Sequence, residues 1–211
     1  ISLFLNSDGQ ISENTFFNLG TKGTFAKNEF IFLKDSVQLK RKNNQVLDSN
    51  VNFSINHFWK NGRNFSFTEN FYIGNKQIPG PAFNKTVHEQ KDFNNNLNFS
   101  ISIPDLFNKI EFSGGFAWQS NNQKYDSLFS GPNQEHSKHN LNALAQTASA
   151  KIKINDYFFQ SFGINLKQNF LQSTNIGNKF LLDGFVKSTT KILPFNNKAF
   201  SLSIPLSVAF S

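Results

Sequence analysis

Residues Lys198 to Ser211 read KAFSLSIPLSVAFS and alternate almost without fault. Phe200, Leu202, Ile204, Leu206, Val208 and Phe210 fall on one parity, with Ser201, Ser203, Ser207 and Ser211 on the other. A period of two is the pattern of a β-strand with one greasy and one small polar face. Soluble strands average about 5–6 residues, and this run is more than twice that length. A strand crossing a bilayer at a tilt needs about 9–11 residues. The stretch therefore predicts a membrane-crossing strand, with Phe200, Leu202, Ile204, Leu206 and Val208 toward lipid and the serines inward.

The same alternation recurs upstream. It appears at Phe65, Phe67, Phe71 and Ile73, at Leu97, Phe99, Ile101 and Ile103, and at Ile110, Phe112, Gly114, Phe116 and Trp118. Phe162, Ile164, Leu166 and Phe170 repeat it, with Asn165 and Lys167 on the opposite parity. Eleven strands are predicted, near 1–6, 13–26, 28–36, 46–60, 63–74, 93–104, 109–119, 141–154, 157–171, 179–193 and 197–211. Phe30-Ile31-Phe32-Leu33 is a continuous apolar run that fits either parity, and Gly20 and Gly23 mark a bulge or bend in the second strand.

Short connections at Lys27-Asn28, Asn61-Gly62, Asp105 to Asn108, Asn155-Asp156 and Phe195 to Asn197 alternate with longer polar ones at 37–45, 75–92, 120–140 and 172–178. An up-and-down barrel in the outer membrane has this asymmetry, with tight periplasmic turns and long outer loops. A soluble β-sandwich has no reason to keep it. The expected fold is thus all-β, an antiparallel up-and-down transmembrane β-barrel formed by residues 1–211 as one unit. Closed single-chain bacterial barrels have even strand numbers. Eleven strands therefore predict an open portion of a larger barrel, in which 1–6 and 197–211 do not pair.

Composition agrees. Phe occurs 27 times in 211 residues, yet mean hydropathy is −0.41 and hydrophobic residues make up only 38%. Abundant Asn and Ser explain the contrast, as a wall between lipid and a wet lumen requires. No stretch approaches the roughly 18 apolar residues of a membrane helix. Cys is absent, which excludes disulfides and thiol chemistry. Met is absent even at position 1, so the chain reads as a processed protein or a portion of a longer one. The net charge of +7 is scattered over turns, loops and lumen-parity positions, with Lys40-Arg41-Lys42 its one cluster. That distribution suits anionic headgroups rather than a nucleic-acid footprint.

The segment Gly74-Asn75-Lys76-Gln77-Ile78-Pro79-Gly80-Pro81 follows an early aromatic strand. An Ile/Val-Pro-Gly-Pro turn in that place resembles TonB-dependent outer-membrane receptors of the cobalamin-receptor-like group. Lys42-Asn43-Asn44, the charged run His88-Glu89-Gln90-Lys91-Asp92 and the strand end Phe116-Ala117-Trp118 extend the resemblance over roughly residues 40–170. It implies a part of a 22-stranded barrel, with the plug domain and TonB-contacting segment absent here. It also implies outer-membrane localisation and TonB-energised import of a scarce small-molecule nutrient, such as a siderophore or cobalamin. The partners implied are outer-membrane lipid, the imported ligand and the TonB complex through the plug. The alternative is a small complete porin or adhesin barrel without plug or energy coupling.

Aromatic groups on polar loops are plausible ligand anchors, which singles out Phe83, Trp118 and Tyr125. Glu135, His136 and His139, with Asp126 upstream, carry metal-ligand chemistry. An i, i+3 His pair ligates well mainly on a helix, however, so these read as solvated loop residues and no metal or other cofactor is expected. Asp126, His136, Ser137 and His139 also contain the residue types of a hydrolase rim site, but catalysis needs contacts that spacing cannot supply. The chain is read as a non-enzyme. His57, beside Phe58 and Trp59, fits an interfacial aromatic belt, and Lys151, Lys153 and Lys167 share the lumen parity.

Overall fold

The computed structural model describes residues 1–27, 30–34, 37–41, 45–79, 87–127, 136–193 and 202–210. Twelve strands run in chain order: β1 (Ser2–Ser12), β2 (Thr15–Lys27), β3 (Phe30–Lys34), β4 (Val37–Arg41), β5 (Gln45–Phe58), β6 (Asn64–Pro79), β7 (Val87–Leu106), β8 (Ile110–Ser127), β9 (His136–Lys153), β10 (Phe158–Ser173), β11 (Gly177–Ile192) and β12 (Leu202–Phe210). Ten of them form one antiparallel sheet in the order β1-β2-β5-β6-β7-β8-β9-β10-β11-β12, and β3 pairs with β4 in a separate two-stranded sheet. The described residues contain no helix.

Cross-strand partners share a face, so the registers sort every strand into two sets of side chains. One row crosses the sheet from Ile55 through Phe67, Phe99, Phe116, Gln146, Leu166 and Gly184 to Phe210. This side, the phenylalanine face, also holds Phe65, Ile101, Ile164, Val186, Val208, Ile204 and Leu202. The other side, the asparagine face, carries Asn50, Asn52, Asn70, Asn96, Asn98, Ser100 and Ser102 on β5 to β7, continuing to Ser203 and Ser207 on β12. The parity predicted for Leu97, Phe99 and Ile101 against Asn98, Ser100 and Ser102 is therefore kept, as it is within β12. Phe200 and Ser201 lie outside the described residues.

The same row starts near the turn end of β5 yet reaches β12 at its last residue. The strands are staggered against the pairing direction, the offset that tilted strands require.

Leu193 is the one buried hydrophobic among the described residues, and no large side chain there is fully buried. Phe162, Ile164, Phe180, Val186, Ile204 and Leu206 are all exposed. The sheet is a single layer, and no described residue covers its phenylalanine face.

Several boundaries differ from expectation. β3 falls within the predicted strand 28–36, but Val37–Arg41 of the predicted loop 37–45 form β4, which pairs with β3 apart from the main sheet, and β2 pairs directly with β5. The aperiodic run Phe30-Ile31-Phe32-Leu33 has no preferred face, which is why its sequence could not place it. The first tight turn lies at Glu13-Asn14, because β1 continues to Ser12 through the polar stretch Ser7-Asp8-Gly9-Gln10. Of the short connection predicted at Lys27-Asn28, Lys27 ends β2 and Asn28 lies outside the described residues. Among the described residues the main sheet thus has ten strands rather than eleven, so the odd count is not met there. No ladder joins β1 to β12 among the described residues.

Turns and bulges follow local chemistry. Gly62, at φ 79°, closes the Trp59 to Arg63 turn predicted at Asn61-Gly62. Phe107 and Asn108 both have positive φ, 54° and 58°, as a two-residue hairpin turn demands. Pro104, which lacks an N–H, falls within the irregular pairing between Ile103 and Leu106. The predicted turn at Phe195 to Asn197 lies outside the described residues.

Candidate functional site

Tight connections at 13–14, 59–63, 107–109 and 154–157 lie at one end of the sheet. At the opposite, loop end β6 stops at Pro79 and β7 starts at Val87, β8 stops at Ser127 and β9 starts at His136, and the turn 174–176 joins β10 to β11. The predicted loops 75–92 and 120–140 are largely strand: β6 runs to Pro79, β7 begins at Val87, β8 runs to Ser127 and β9 begins at His136. Their sequences are polar on both parities and carry no hydrophobic period, so pairing rather than patterning extends them.

On β8 the phenylalanine face is apolar from Ile110 to Trp118, about nine residues, the length a tilted strand needs to cross a bilayer. Beyond Trp118 both faces turn polar. The phenylalanine-face positions become Ser120, Asn122, Lys124 and Asp126, and β9 matches them with Asn142, Asn140, Lys138 and His136. Trp118 sits in the apolar row between Leu97 and Leu144. Glu69, next to Leu97 in that row, accepts a 3.4 Å hydrogen bond from Asn95 Nδ2.

The asparagine face of the loop end carries the richest polar constellation. Asp92 gathers both Gln90 Nε2 contacts at 2.9 Å, Gln123 Nε2 at 3.3 Å and Lys76 Nζ at 3.5 Å. The His88 ring stacks on Tyr125 with centroids 5.4 Å apart and planes at 18°. His88 Nδ1 is buried without a hydrogen-bond partner, an unfilled polar position beside an aromatic surface. On the same face His139 Nδ1 lies 2.8 Å from Ser173 Oγ. Closer to mid-sheet, a notch of about 250 Å³ opens around Gly115, lined by Ser66, Thr68, Asn98, Ser100 and Thr147. A Cβ at Gly115 would strike the Phe99 carbonyl oxygen, so only glycine lets β7 and β8 approach there.

Of the predicted anchors, Tyr125 belongs to this constellation, whereas Trp118 lies on the opposite face and well down the strand. Phe83 and Glu135 lie outside the described residues. His136 and His139 also point to opposite faces: His136 Nδ1 is 2.9 Å from Asp126 Oδ1 on the phenylalanine-face side, while His139 bonds Ser173. Lys124 Nζ contacts the same carboxylate at 2.6 Å. That contact first, and His136 second, hold the Asp126 carboxyl below its ordinary range. Asp126–His136 and Ser173–His139 are thus two separate pairs, and no chain of nucleophile, base and carboxylate links them. Among the described residues no three His, Asp or Glu side chains gather into a metal-binding group.

At the turn end, His57 Nδ1 lies 2.7 Å from Thr15 Oγ1 and the ring packs against Trp59 and Phe65. Lys151 and Lys153 share the asparagine face, paired with Glu111 and Asp156. Sequence reasoning missed His88 and Asp92 as site residues. The charged run 88–92 was their signal, but its alternate members face opposite ways.

No protein-family model matches this chain, and no curated protein matches it.

Proposed function

We propose that the ten-stranded sheet is wall of an outer-membrane β-barrel, with the phenylalanine face toward lipid and the asparagine face toward a water-filled lumen. The observation that carries this reading is an apolar face with no second layer over it and no core beneath it. Phe162, Ile164, Val186 and Ile204 on β10 to β12 are exposed, and Phe65, Phe67 and Phe99 on β6 and β7 are half-buried only among their neighbours. A soluble sandwich would bury such a face under a second sheet. The strand stagger, the nine-residue apolar stretch of β8 and the polar extension beyond it support the same reading.

Within that frame the chain acts as the barrel of a TonB-dependent receptor. It binds a scarce nutrient at the loop end and passes it inward with energy from a plug and TonB contact. The resemblance around Gly74 to Pro81 and the polar and aromatic constellation of Asp92, His88 and Tyr125 support it. The small porin or adhesin is the second reading: ten strands, counted among the described residues, are an even number as a closed single-chain barrel requires, although no ladder there joins β1 to β12.

The chain has no cysteine, so single cysteines report facing cleanly. In lipid vesicles a water-soluble maleimide should label Ser100→Cys and spare Phe99→Cys; equal labelling of both would defeat the barrel wall. Nutrient uptake by cells should require TonB, and deletion of 121–138 should abolish it while membrane insertion persists. Uptake that continues without TonB would favour the porin.

A further inference from the structure

On the phenylalanine-face side, three lysines stand directly opposite one another on adjacent strands: Lys91 pairs with Lys124, and Lys124 with Lys138. Neighbouring strands lie about 4.7–4.9 Å apart, and like charges facing each other across a ladder are destabilising. Counter-charge is incomplete. Glu89 Oε1 lies 3.6 Å from Lys91 Nζ and Asp126 Oδ2 lies 2.6 Å from Lys124 Nζ, whereas Lys138 has no ion-pair partner among the described residues. His136 also draws on Asp126.

Both carboxylates lie on the loop side of the row. Toward the apolar band the lysines border a cleft of about 360 Å³ whose lining includes Leu47, Ile73, Phe93 and all three lysines. The Asn140 Oδ1 atom, buried without a partner, belongs to a residue of the same lining. The strand lysines that the ladders put on this face, namely Lys27, Lys91, Lys124 and Lys138, all sit beyond the apolar band.

We infer that this row is a binding site for the phosphate headgroup of an anionic lipid, whose acyl chain lies down the apolar band past Phe93 and Ile73. The inference rests on the lipid-facing assignment of the phenylalanine face. Charge and position select the ligand: clustered ammonium groups meet apolar side chains at the edge of the band, where a headgroup joins its chains. A free anion would gain nothing from Leu47, Ile73 and Phe93.

Trp118 lies on the same face and strand as Lys124, toward the band, and reports on both questions. In a Trp59→Phe background, with the full chain in vesicles, brominated phosphatidylcholine should quench Trp118. Brominated phosphatidic acid, diluted into unbrominated phosphatidylcholine, should quench it at a mole fraction at least about fivefold lower, the discrimination one lysine gives near a charged lipid surface. Lys91→Gln/Lys124→Gln/Lys138→Gln should abolish that preference while leaving quenching by phosphatidylcholine intact. The matched variant Lys167→Gln/Lys187→Gln/Lys191→Gln, on the asparagine face, should keep it. Quenching by phosphatidylcholine without preference for phosphatidic acid would overturn the site alone. Equal loss in both triple variants would reduce the effect to overall charge and also overturn it. No quenching by either lipid would overturn the lipid-facing assignment and the site with it.

Discussion

The two halves of β7, β8 and β9 belong to the same ladders, irregular only between Ile103 and Leu106, but differ in the side chains they carry. From Ile110 to Trp118, β8 sets Phe112, Phe116 and Trp118 against Glu111 and Ser113, greasy on one side and polar or small on the other. From Ser120 to Asp126 the same strand, in the same register, is polar on both sides. Backbone pairing is indifferent to the change, since β8 keeps one register with β9 from Ile110 to Asp126. The side chains, not the backbone, set the two halves apart. In the first half one face is apolar and no described residue covers it; in the second, β8 is polar on both faces.

An arginine at two positions of one face breaks or sharpens that contrast most strongly. Phe116→Arg should cost about 2–4 kcal/mol in reversible urea unfolding from lipid vesicles, as for a cation near the bilayer midplane. Asn122→Arg, on the same strand and face, should cost close to nothing. Similar costs at both would mean that no boundary in medium lies between them.

A second effect depends on backbone contact rather than on medium. Gly115→Val would place a side chain against the Phe99 carbonyl oxygen and Ser100 Cα. It should lower stability by about 1–3 kcal/mol, as overpacking does, in detergent and in lipid alike. A penalty confined to lipid would tie that position to the membrane instead.

The turn end offers a smaller gain. Phe107 holds φ at 54°, a left-handed conformation that costs a residue with a Cβ about 1–2 kcal/mol. Phe107→Gly should raise stability by about 1 kcal/mol in detergent. A loss in vesicles alone would assign the exposed ring to the membrane interface.

The smallest effect lies at the loop end. Asp126 has its carboxyl held below the ordinary value of 3.8, chiefly by Lys124 and then by His136. A depressed carboxylate pKa stabilises the fold above that ordinary value and loses its contribution as pH falls through the folded one. The melting temperature of the wild type should therefore exceed that of Asp126→Asn at neutral pH and down to about pH 4. The two should converge only at lower pH; convergence well above pH 4 would mean the ion pairs do not form.

Sequence by itself determined the parity. Phe99 against Ser100 and Ile204 against Ser203 alternate because a strand turns successive side chains to opposite sides, and that periodicity survives in any sheet. The tight turn at Asn61-Gly62 was legible for a similar reason, since Gly62 accepts a positive φ at no steric cost. Tertiary structure decided the rest. The ends of β6 to β9, the reach of β1 to Ser12 and the β3–β4 hairpin lie where side chains are polar on both parities or apolar without period. Only pairing across strands selects a conformation there. The same holds for the candidate sites: Trp118 and Tyr125 seemed alike as aromatics near a loop, yet an odd spacing on one strand puts them on opposite faces. Lys91, Lys124 and Lys138 are far apart in the chain and become neighbours only because two antiparallel registers bring them level.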